Sequence, residues 1–493
     1  MLEWAERDGG KTALIEGQRE VSYAELATAT EDVARLLKSR GVRAGDRVMI
    51  VGENGIGTVI FLLAAQRLDA WPAMVNARLP RRDIEEMRNT IAARLTVCIV
   101  GNSPAAASVV DETFADADLA HVGSASLGWF DNSATTEPVY AESNRQVGLL
   151  LFSSGTTGRP KAVMVSHLAM LNAGTSLIRT RGLGRDDVFY GLSPVSHIMG
   201  GSAILTGVLW AGATVKLVPR LDLADLAESI ASGVITCLMG VPMVYARLIS
   251  HIGMQGIDIS GHRLRSLMSG GSPLDPTLAR HVAEMFGIPI SNCYAMTECS
   301  PIARTPHGVP PADGSVGLPE GDTEIRLVMR DQDVAQGEVG EILVRGPSLM
   351  IGYYRDAPAT AAAISANGWF ATGDLGRRIG DGELQIVGRS KDVIIRSGFN
   401  VYPAEVEAAL LSHPAIGQCA VVGRAGDYGN EEVIAFVQLH PRRTATEQQI
   451  AEYVSDLLAP YKRPAQVVIV QELPVGPTGK ILKGELAKRA VTI

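Results

Sequence analysis

The sequence predicts an α/β fold in a large N-terminal part, a small antiparallel β region after it, and a smaller α+β part at the C-terminus. Strands and helices alternate over about residues 1–308, which implies parallel strands with helices on both faces of a sheet. Short strands with glycine turns follow over about 309–388, and an independent α+β pattern occupies 390–493. A chain of 493 residues also exceeds the size at which one core keeps growing, so at least two domains are expected.

The first α/β unit, about residues 1–165, opens with a helix at about 23–40. Ser22 and Glu25 have the spacing of a capping box, and apolar residues then recur at helical intervals. Further strands are predicted at 46–51, 71–76 and 95–100, and helices at 60–68 and 82–93. Residues 104–143 are rich in Ala, Ser, Asp and Thr with weak periodicity, which predicts a surface connection.

The second α/β unit, about 166–308, repeats this alternation. Its strands are predicted at 215–218, 234–239, 264–269 and 288–290, and its helices at 223–232, 241–252 and 275–286. The β region has strands at 324–328, 340–344 and 383–387, typical of a small antiparallel barrel or meander. The C-terminal part has strands at 393–396, 416–422, 432–439 and 465–470, and helices at 404–412 and 446–458.

Composition excludes several classes of protein. Hydrophobic residues make up 46% and charged residues 20% of the chain, which is ordinary globular composition. The formal net charge of -8 is spread along the chain without a basic cluster, so nucleic acid is not an expected partner. Five scattered cysteines without a CxxC pair, no secretory signal and no transmembrane segment indicate a cytoplasmic protein; the apolar stretch 188–215 is interrupted by Pro194 and several glycines.

The most informative stretch is 149–167, where an apolar run leads into small hydroxyl and glycine residues, a lysine and a second apolar run. Gly155 and Gly158 allow backbone N–H groups to approach anionic oxygens, and Lys161 adds a positive charge. The pattern predicts a cradle for a polyphosphate, although a Ser/Thr/Gly cluster between apolar runs is also typical of a plain hairpin loop. It is not a Walker A motif, because two residues separate Gly158 from Lys161.

Seven motifs in order resemble those of the adenylate-forming superfamily, which contains acyl-CoA ligases, luciferases and adenylation domains. They are Ser153 to Lys161, Ser193 to His197, Tyr294 to Glu298, Thr372 to Asp374, Gly388 to Asp392, Gly398 to Glu407, and Pro477 to Lys480. The resemblance spans nearly the whole chain and is closest to the AMP-forming acid–CoA ligases. It implies that a carboxylate attacks ATP to give an acyl-adenylate and pyrophosphate, and that a thiol, CoA, then displaces AMP.

By this resemblance, four residues serve catalysis. Lys480 would bridge the carboxylate and the α-phosphate, and His197 would gate the acyl pocket and orient the acid. Thr297 would contact the α-phosphate, and Glu298 would hold Mg²⁺ together with Thr156, since magnesium favours hard oxygen ligands.

The resemblance also implies a nucleotide site, with Tyr294 stacked on adenine and Asp374 accepting hydrogen bonds from the ribose. The implied set is Ser153, Ser154, Gly155, Thr156, Thr157, Lys161, Gly271, Ser272, Asn292, Cys293, Tyr294, Asp374 and Arg389. Lys391 would be a hinge between residues 1–389 and a mobile C-terminal domain of 390–493. The loop with Gly398 and Phe399 would then close on the CoA thiol.

The acyl pocket implied by the resemblance has small and apolar walls. They include Met199, Met239, Gly270 and Pro301, which suits a hydrophobic monocarboxylic acid, either aryl or medium-chain fatty. No Arg or Lys falls among these walls to pair a second carboxylate, although Arg304 is close to them in sequence. The alternatives are a stand-alone adenylation enzyme that loads a carrier protein and an ATP-binding switch without ligase activity; a monomer or a homodimer is expected.

Overall fold

The structure is a computed structural model that describes residues 1–101, 103–113, 120–122, 125–130, 134–142, 145–154, 160–396, 399–426, 430–440, 442–475 and 481–493. Up to residue 166 its elements are α1 (Leu2–Asp8), β1 (Thr12–Glu16), β2 (Arg19–Ser22), α2 (Tyr23–Ser39), β3 (Arg47–Gly52), α3 (Ile56–Arg67), β4 (Trp71–Asn76), α4 (Arg81–Ile91), β5 (Leu95–Ile99), α5 (Pro104–Thr113), β6 (Ala120–Val122), β7 (Ala125–Phe130), β8 (Val147–Ser154) and β9 (Pro160–Ser166). The strands and helices predicted for 23–100 are all present, with ends that shift by a few residues.

The second block contains the parallel strands that were predicted after residue 166. Its elements are α6 (His167–Arg181), β10 (Val188–Gly191), a π-helix (Ile198–Ile204), α7 (Leu205–Ala211), β11 (Thr214–Leu217), α8 (Leu223–Ala231), β12 (Cys237–Gly240), α9 (Pro242–Gln255), β13 (Ser266–Gly270), α10 (Pro276–Phe286), β14 (Ile290–Met296) and β15 (Cys299–Arg304). No helix within the described residues combines the length and the apolar character that crossing a bilayer requires.

The remaining elements form the β region and the C-terminal part. They are β16 (Ser315–Pro319), β17 (Glu324–Met329), β18 (Gln332–Asp333), β19 (Gly340–Arg345), β20 (Gly352–Tyr353), α11 (Ala357–Ala363), β21 (Phe370–Ile379), β22 (Glu383–Arg389), β23 (Ile394–Arg396), β24 (Phe399–Val401), α12 (Pro403–Leu411), β25 (Ile416–Ala425), β26 (Glu431–Leu439), α13 (Glu447–Ser455), β27 (Gln466–Ile469) and α14 (Lys483–Ala490). Every strand and helix predicted here is present.

Two large sheets organise the chain up to residue 389. One has eight strands in the order β20-β9-β8-β4-β3-β5-β7-β6, and the other has fourteen in the order β18-β17-β19-β21-β22-β16-β15-β14-β13-β12-β10-β11-β1-β2. The antiparallel strands after residue 314 extend the second sheet as a meander. The predicted α/β fold with helices between parallel strands is confirmed.

The two sheets exchange strands that are far apart in sequence. β1 pairs parallel with β11 of the large sheet, although it belongs to the first α/β unit in sequence. In the opposite direction, β20 pairs antiparallel with β9, which brings Tyr353 beside Val163. A single apolar cluster accordingly includes residues of both units, such as Leu14, Ile50, Val163 and Met239. These exchanges fix the sheets against each other and determine which side chains meet at their shared edge.

The prediction for residues 104–143 was wrong in part. The segment was predicted only as a surface connection, without strands or helices of its own; it contains α5 and a hairpin of β6 and β7, and β7 pairs antiparallel with β5. The reason is that β5 would otherwise leave backbone N–H and C=O groups unpaired along the edge of the sheet. Backbone pairing satisfies these groups without requiring a strong hydrophobic period, so the side-chain pattern did not reveal the strands.

The C-terminal part has a small sheet of its own. β25 and β26 pair antiparallel, and β27 adds parallel to β26. One face of this sheet packs on α12 and α13 in a cluster that includes Val406, Leu410, Ile450 and Val454. The other face packs on α14 through Leu486. The segment after residue 390 therefore has a separate apolar core, as the sequence predicted.

Candidate active site

The two ends of the predicted phosphate cradle lie on paired strands. β8 and β9 pair antiparallel, with Ser153 opposite Lys161 and Ser154 opposite Pro160. Residues 155–159, including the predicted nucleotide-binding residues Gly155, Thr156 and Thr157, lie outside the described residues. A hairpin fits both interpretations of the sequence, the phosphate cradle and the plain loop. The contacts of Lys161 are therefore more informative about a phosphate site than the pairing of the two strands.

Lys161 belongs to a chain of contacts that ends at a buried carboxylate. Its ammonium lies 4.8 Å from the centre of the Tyr353 ring, within the range of a cation–π interaction. The Tyr353 hydroxyl donates a hydrogen bond of 3.1 Å to Glu298 Oε1, and Glu298 is only 8% exposed. Burial and the negative charge of Glu298 raise the pKa of Tyr353, so the phenol stays protonated as the donor. Two predicted site residues, Lys161 and Glu298, are thus joined through a tyrosine.

Sequence reasoning missed Tyr353. Its position depends on β20, a strand of two residues that pairs with β9 across nearly two hundred positions of the chain. The local signal is the Gly352-Tyr353-Tyr354 triplet, a tyrosine pair in a chain with only 5% aromatic residues. Nothing in the triplet itself indicates the partner, because the pairing is set by the tertiary fold.

Thr297 and Glu298 form the tight turn between β14 and β15. Met296 and Cys299, which flank them, are partners in the antiparallel register. The Glu298 carbonyl also accepts a hydrogen bond of 2.8 Å from the Met350 amide, which fixes the turn against the segment that leads to β20. Glu298 is therefore fixed at two points, through its backbone carbonyl by Met350 and through its side-chain carboxylate by Tyr353.

A second cluster joins three of the predicted nucleotide-binding residues. Tyr294 donates a hydrogen bond of 2.6 Å to Asp374 Oδ2, and the Arg389 Nε lies 3.0 Å from Asp374 Oδ1. The register of β21 and β22 places Asp374 directly opposite Arg389. Burial, and then the charge of Asp374, raises the pKa of Tyr294 well above its usual value. An ionised carboxylate has about four lone-pair sites, so these two contacts leave Asp374 able to accept further hydrogen bonds.

The predicted acyl and nucleotide residues of the large sheet lie side by side. Gly270 at the end of β13 is the neighbour of Cys293 on β14, and a Cβ on Gly270 would lie 2.6 Å from the Cys293 Sγ and 3.3 Å from the Met199 Cε. Gly271 follows with a φ of +84°, a conformation that favours glycine, and Ser272 comes next. Met199, Met239, Cys293 and Tyr294 share one buried cluster. The absence of a side chain at Gly270 is thus required by close packing.

Asn292 has hydrogen-bond partners within the fold, and Pro301 is buried. The side-chain amide of Asn292 donates a hydrogen bond of 2.8 Å to the Ser315 carbonyl, and its backbone amide donates one to the Thr305 hydroxyl. Pro301 lies buried on β15. The contacts of Asn292 give it a structural role, and its assignment to the nucleotide site stays a prediction.

His197 precedes the π-helix, and its Nδ1 accepts a hydrogen bond of 3.3 Å from the Met199 amide. The π-helix packs closely on the preceding loop, because a Cβ on Gly200 would lie 2.2 Å from the Pro194 carbonyl oxygen. Larger residues than glycine would separate the two segments. π-helical turns recur at functional sites, where they change the direction in which side chains point.

Asn54 is a second residue that sequence reasoning missed. It follows β3, is 4% exposed, and its amide donates hydrogen bonds to the carbonyls of Gly191, 2.9 Å, and Val218, 3.1 Å. Its Oδ1 accepts from the Val195 amide at 2.8 Å. Asn54 therefore fixes the loop that presents His197. The available signal was its position directly after a buried parallel strand, where sites in α/β sheets are found.

The residues predicted to move are on the C-terminal side. Lys391 is exposed in a short 3-10 turn, Ser390–Asp392, that directly follows β22. Phe399 is 56% exposed, and its ring stacks on Tyr461 with centroids 4.7 Å apart. Gly398 and Lys480 lie outside the described residues. The positions of Lys391 and Phe399 agree with a hinge and a neighbouring loop, and both roles stay predictions.

The described contacts thus group Tyr294, Asp374 and Arg389 in one cluster, and Lys161, Tyr353 and Glu298 in another, as expected of the adenylate-forming enzymes that the motifs resemble. Comparison with known families agrees with this. The model for the AMP-binding enzyme family matches residues 1–354, and the model for the AMP-binding enzyme C-terminal domain matches residues 405–480. The chain belongs to the AMP-binding enzyme family, and the predicted membership of the adenylate-forming superfamily is confirmed.

Individual relatives cover nearly the whole chain. The indoleacetate–CoA ligase of Aromatoleum aromaticum (strain DSM 19018 / LMG 30748 / EbN1) is 33% identical over 99% of this chain and 97% of its own length. A feruloyl-CoA synthase of Amycolatopsis sp is 32% identical over 97% and 96%, respectively. The solved structure of O-succinylbenzoate coenzyme A synthetase (MenE) from Bacillus subtilis, in complex with ATP and magnesium ion, is similar with a TM-score of 0.82 at 27% identity, over 98% of both chains.

Proposed function

We propose that the protein is an ATP-dependent acid–CoA ligase. It adenylates a hydrophobic monocarboxylic acid and transfers the acyl group to CoA, releasing pyrophosphate and AMP. The observation that carries the proposal is the pairing of Asp374 with both Tyr294 and Arg389, in a chain similar over nearly its full length to acid–CoA ligases. Two relatives are named for indoleacetate and a feruloyl group, both aromatic, so an aryl acid is favoured over a fatty acid.

In this proposal the Tyr294 cluster binds the nucleoside. The Tyr294 ring provides an apolar surface for adenine, while the free lone pairs of Asp374 accept hydrogen bonds from the ribose hydroxyls. Arg389 holds the other oxygen of Asp374 and orients the carboxylate. The proposed nucleotide site also includes Ser153, Ser154, Gly155, Thr156, Thr157, Lys161, Gly271, Ser272, Asn292 and Cys293.

The residues around Glu298 fit a magnesium ion. Glu298 offers a buried carboxylate whose described side-chain partner is the neutral Tyr353 hydroxyl, and a hard oxygen of this kind suits Mg²⁺. Glu298 and Thr156 would hold the ion, which when bound would neutralise phosphate charge. Lys161 adds a positive charge on the same side through its contact with Tyr353.

Attack of a carboxylate on the α-phosphorus brings negative charges together, so the protein has to neutralise and orient them. We assign this to Lys480, which bridges the carboxylate and the α-phosphate, and to Thr297, which contacts the α-phosphate. His197 orients the acid at the mouth of a pocket formed by Met199, Met239, Gly270 and Pro301. Residues 390–493 then rotate about Lys391, so that the Gly398-Phe399 loop approaches the thiol of CoA.

The cysteines indicate the cellular compartment in which the enzyme works. All five are buried free thiols, and burial raises the pKa of Cys98 and of Cys237 to about 12, so neither is a ready nucleophile. Free thiols are typical of a reducing compartment, so we place the enzyme in the cytoplasm as a monomer or a homodimer.

The experiment that tests the function is a panel of aryl and fatty acids assayed for ATP-dependent pyrophosphate release, with and without CoA. We expect acid-dependent release and, with CoA, formation of the acyl-CoA thioester. Acyl-adenylate without thioester, unless a carrier protein is added, would favour the stand-alone adenylation enzyme. ATP binding without any acid-dependent release would favour the switch protein and contradict the proposal.

The contact of Tyr353 with Glu298 gives a narrower prediction. Tyr353→Phe removes the hydrogen bond and keeps the ring under Lys161, so we expect the KM for MgATP to rise about tenfold, near the lower end of what a hydrogen bond to a charged group contributes. The control is Tyr453→Phe, which removes an exposed hydroxyl from the C-terminal part. An unchanged KM for MgATP in Tyr353→Phe would show that this hydroxyl does not support the site.

A further inference from the structure

Beside the predicted acyl pocket lies a buried group of charges that the reaction does not use. It consists of Arg181 at the end of α6, Arg304 at the end of β15 and Glu320 just after β16, which are 3%, 5% and 5% exposed. Arginine is rarely buried to this extent without a partner for its charge. We refer to these three residues as the arginine cluster.

The arginine cluster has more donors than acceptors. Glu320 accepts a hydrogen bond of 2.7 Å from Ser176, and its other oxygen lies 3.8 Å from the Arg304 Nε. Arg304 donates to Thr180, and Arg181 donates to the Thr305 carbonyl at 2.8 Å. Within the described part of the chain, the Arg181 Nε and Nη1 and the Arg304 Nε have no hydrogen-bond acceptor. Two positive charges thus face one negative charge, and a buried donor left without an acceptor is costly.

The strand register places the arginine cluster next to the acyl pocket. Gly270, Cys293 and Arg304 are successive partners across β13, β14 and β15. Residues directly opposite one another on neighbouring strands project from the same face of a sheet, so Arg304 lies beside Cys293 as Cys293 lies beside Gly270. In agreement, burial raises the pKa of the Cys293 thiol and the positive charges of Arg304 and Arg181 oppose that rise.

We propose that Arg304 and Arg181 form a specificity site for an oxygen substituent at the end of the acid remote from its reacting carboxylate. The site would take a hydroxyl or carboxylate oxygen as the missing acceptor, and it would disfavour a methyl group of similar size. This proposal depends on the proposed acid–CoA ligase function. A far-end hydroxyl narrows its substrate to aryl monocarboxylic acids with a polar far end, whereas a far-end carboxylate would replace the monocarboxylic acid by an aryl dicarboxylic acid. In this proposal Arg304, which is close to the pocket walls in sequence, contacts the far end of the acid.

Discrimination between acids would come from the free-energy cost of leaving the arginine donors unpaired. A site built to hydrogen-bond a substrate oxygen rejects the analogue that lacks it far more strongly than an apolar pocket rejects a missing methyl group. The guanidinium is suited to this role because it presents several donors in one plane. Burial, with the charge of Arg304, lowers the pKa of Arg181 to about 10, and the group is still positively charged at neutral pH.

The test compares benzoic, phenylacetic and cinnamic acids, each with a 4-methyl, a 4-hydroxy or a 4-carboxy group, in acid-dependent pyrophosphate release. The comparison is made within whichever of these three acid types is a substrate. There we expect kcat/KM for the 4-hydroxy or the 4-carboxy acid to exceed kcat/KM for the 4-methyl acid by about tenfold or more. In Arg304→Met this ratio should fall to about one. The matched control is Arg179→Met, on an exposed arginine of α6, the helix that carries Arg181, and it should keep the wild-type ratio.

Because Arg304→Met leaves Glu320 without its ion pair, Arg304→Met/Glu320→Gln and Arg304→Lys are made in parallel, and cooperative thermal unfolding confirms that each is folded. Calorimetric titration of the same acids gives the ratio of dissociation constants without turnover. A wild-type ratio near one, or a preference for oxygen that survives in folded Arg304→Met or Arg304→Met/Glu320→Gln, would overturn the specificity site, whereas Arg304→Lys, which keeps a positive donor, should retain part of the preference. If no acid supports pyrophosphate release, the proposed function fails, and the titration still decides whether the arginine cluster prefers oxygen.

Discussion

Glu298→Gln is expected to lower kcat/KM for MgATP in acid-dependent pyrophosphate release by about 100-fold or more, the loss typical of removing one preorganised charge-stabilising group. Glutamine keeps the size of the side chain and can still accept the hydrogen bond of Tyr353, so packing should change little. The change removes the negative charge that suits Mg²⁺. The measurement is the dependence of the initial rate on ATP at several Mg²⁺ concentrations.

The control for this variant is Glu284→Gln, which changes an exposed glutamate of α10 in the same way. Glu284→Gln should behave as the wild type does. If Glu298→Gln retained its rate and its dependence on Mg²⁺, the carboxylate would be a structural partner of Tyr353 and not a magnesium ligand.

Lys480→Ala is expected to reduce formation of the acyl-adenylate by about 100-fold to 1,000-fold, since Lys480 would supply positive charge where negative charge develops. The second half-reaction, transfer from a supplied acyl-adenylate to CoA, should keep most of its rate, because Lys480 would have withdrawn by then. Each half-reaction is measured separately, by pyrophosphate release and by thioester formation.

Lys488→Ala is the matched control, because Lys488 is an exposed lysine on α14 a short distance along the chain. It should leave both half-reactions unchanged. Equal losses of adenylation and thioester formation in Lys480→Ala would mean that the lysine supports the fold or the domain arrangement, and the catalytic assignment would be wrong.

Much of the local structure was predictable because its causes are local. The capping box at Ser22 starts α2 through contacts within four residues, and the structure has both of its hydrogen bonds. The alternation of strands and helices predicted the parallel sheets, and the chemistry of Tyr294, Asp374 and Arg389 was indicated by motifs that each fit in a few positions. That these three side chains touch, with Asp374 at the centre, was not visible in the sequence.

The missed features all depend on pairings between distant segments. The β6–β7 hairpin exists because an edge of backbone needed partners, whereas its side chains show little period. Tyr353 reaches Glu298 only because β20 joins the first sheet beside β9. Asn54 organises the His197 loop from more than a hundred residues away. In each case the local sequence does not identify the partner, which is brought close only when distant segments pack together.

Local patterns in the chain were therefore enough to predict the α/β class, most of the order of the elements and the C-terminal core, and the resemblance of short motifs to the adenylate-forming superfamily supplied the candidate side chains. These follow from periodicity, capping and short motifs, which act over a few residues. Only the tertiary structure decided which side chains share a site: the Lys161, Tyr353 and Glu298 chain, the two bonds to Asp374, and the place of Arg304 beside Cys293. These contacts depend on strand register, because a slip of one residue would move every side chain of a strand to the other face of the sheet. Register is set by packing across the whole molecule, so it is not visible in a short stretch of sequence.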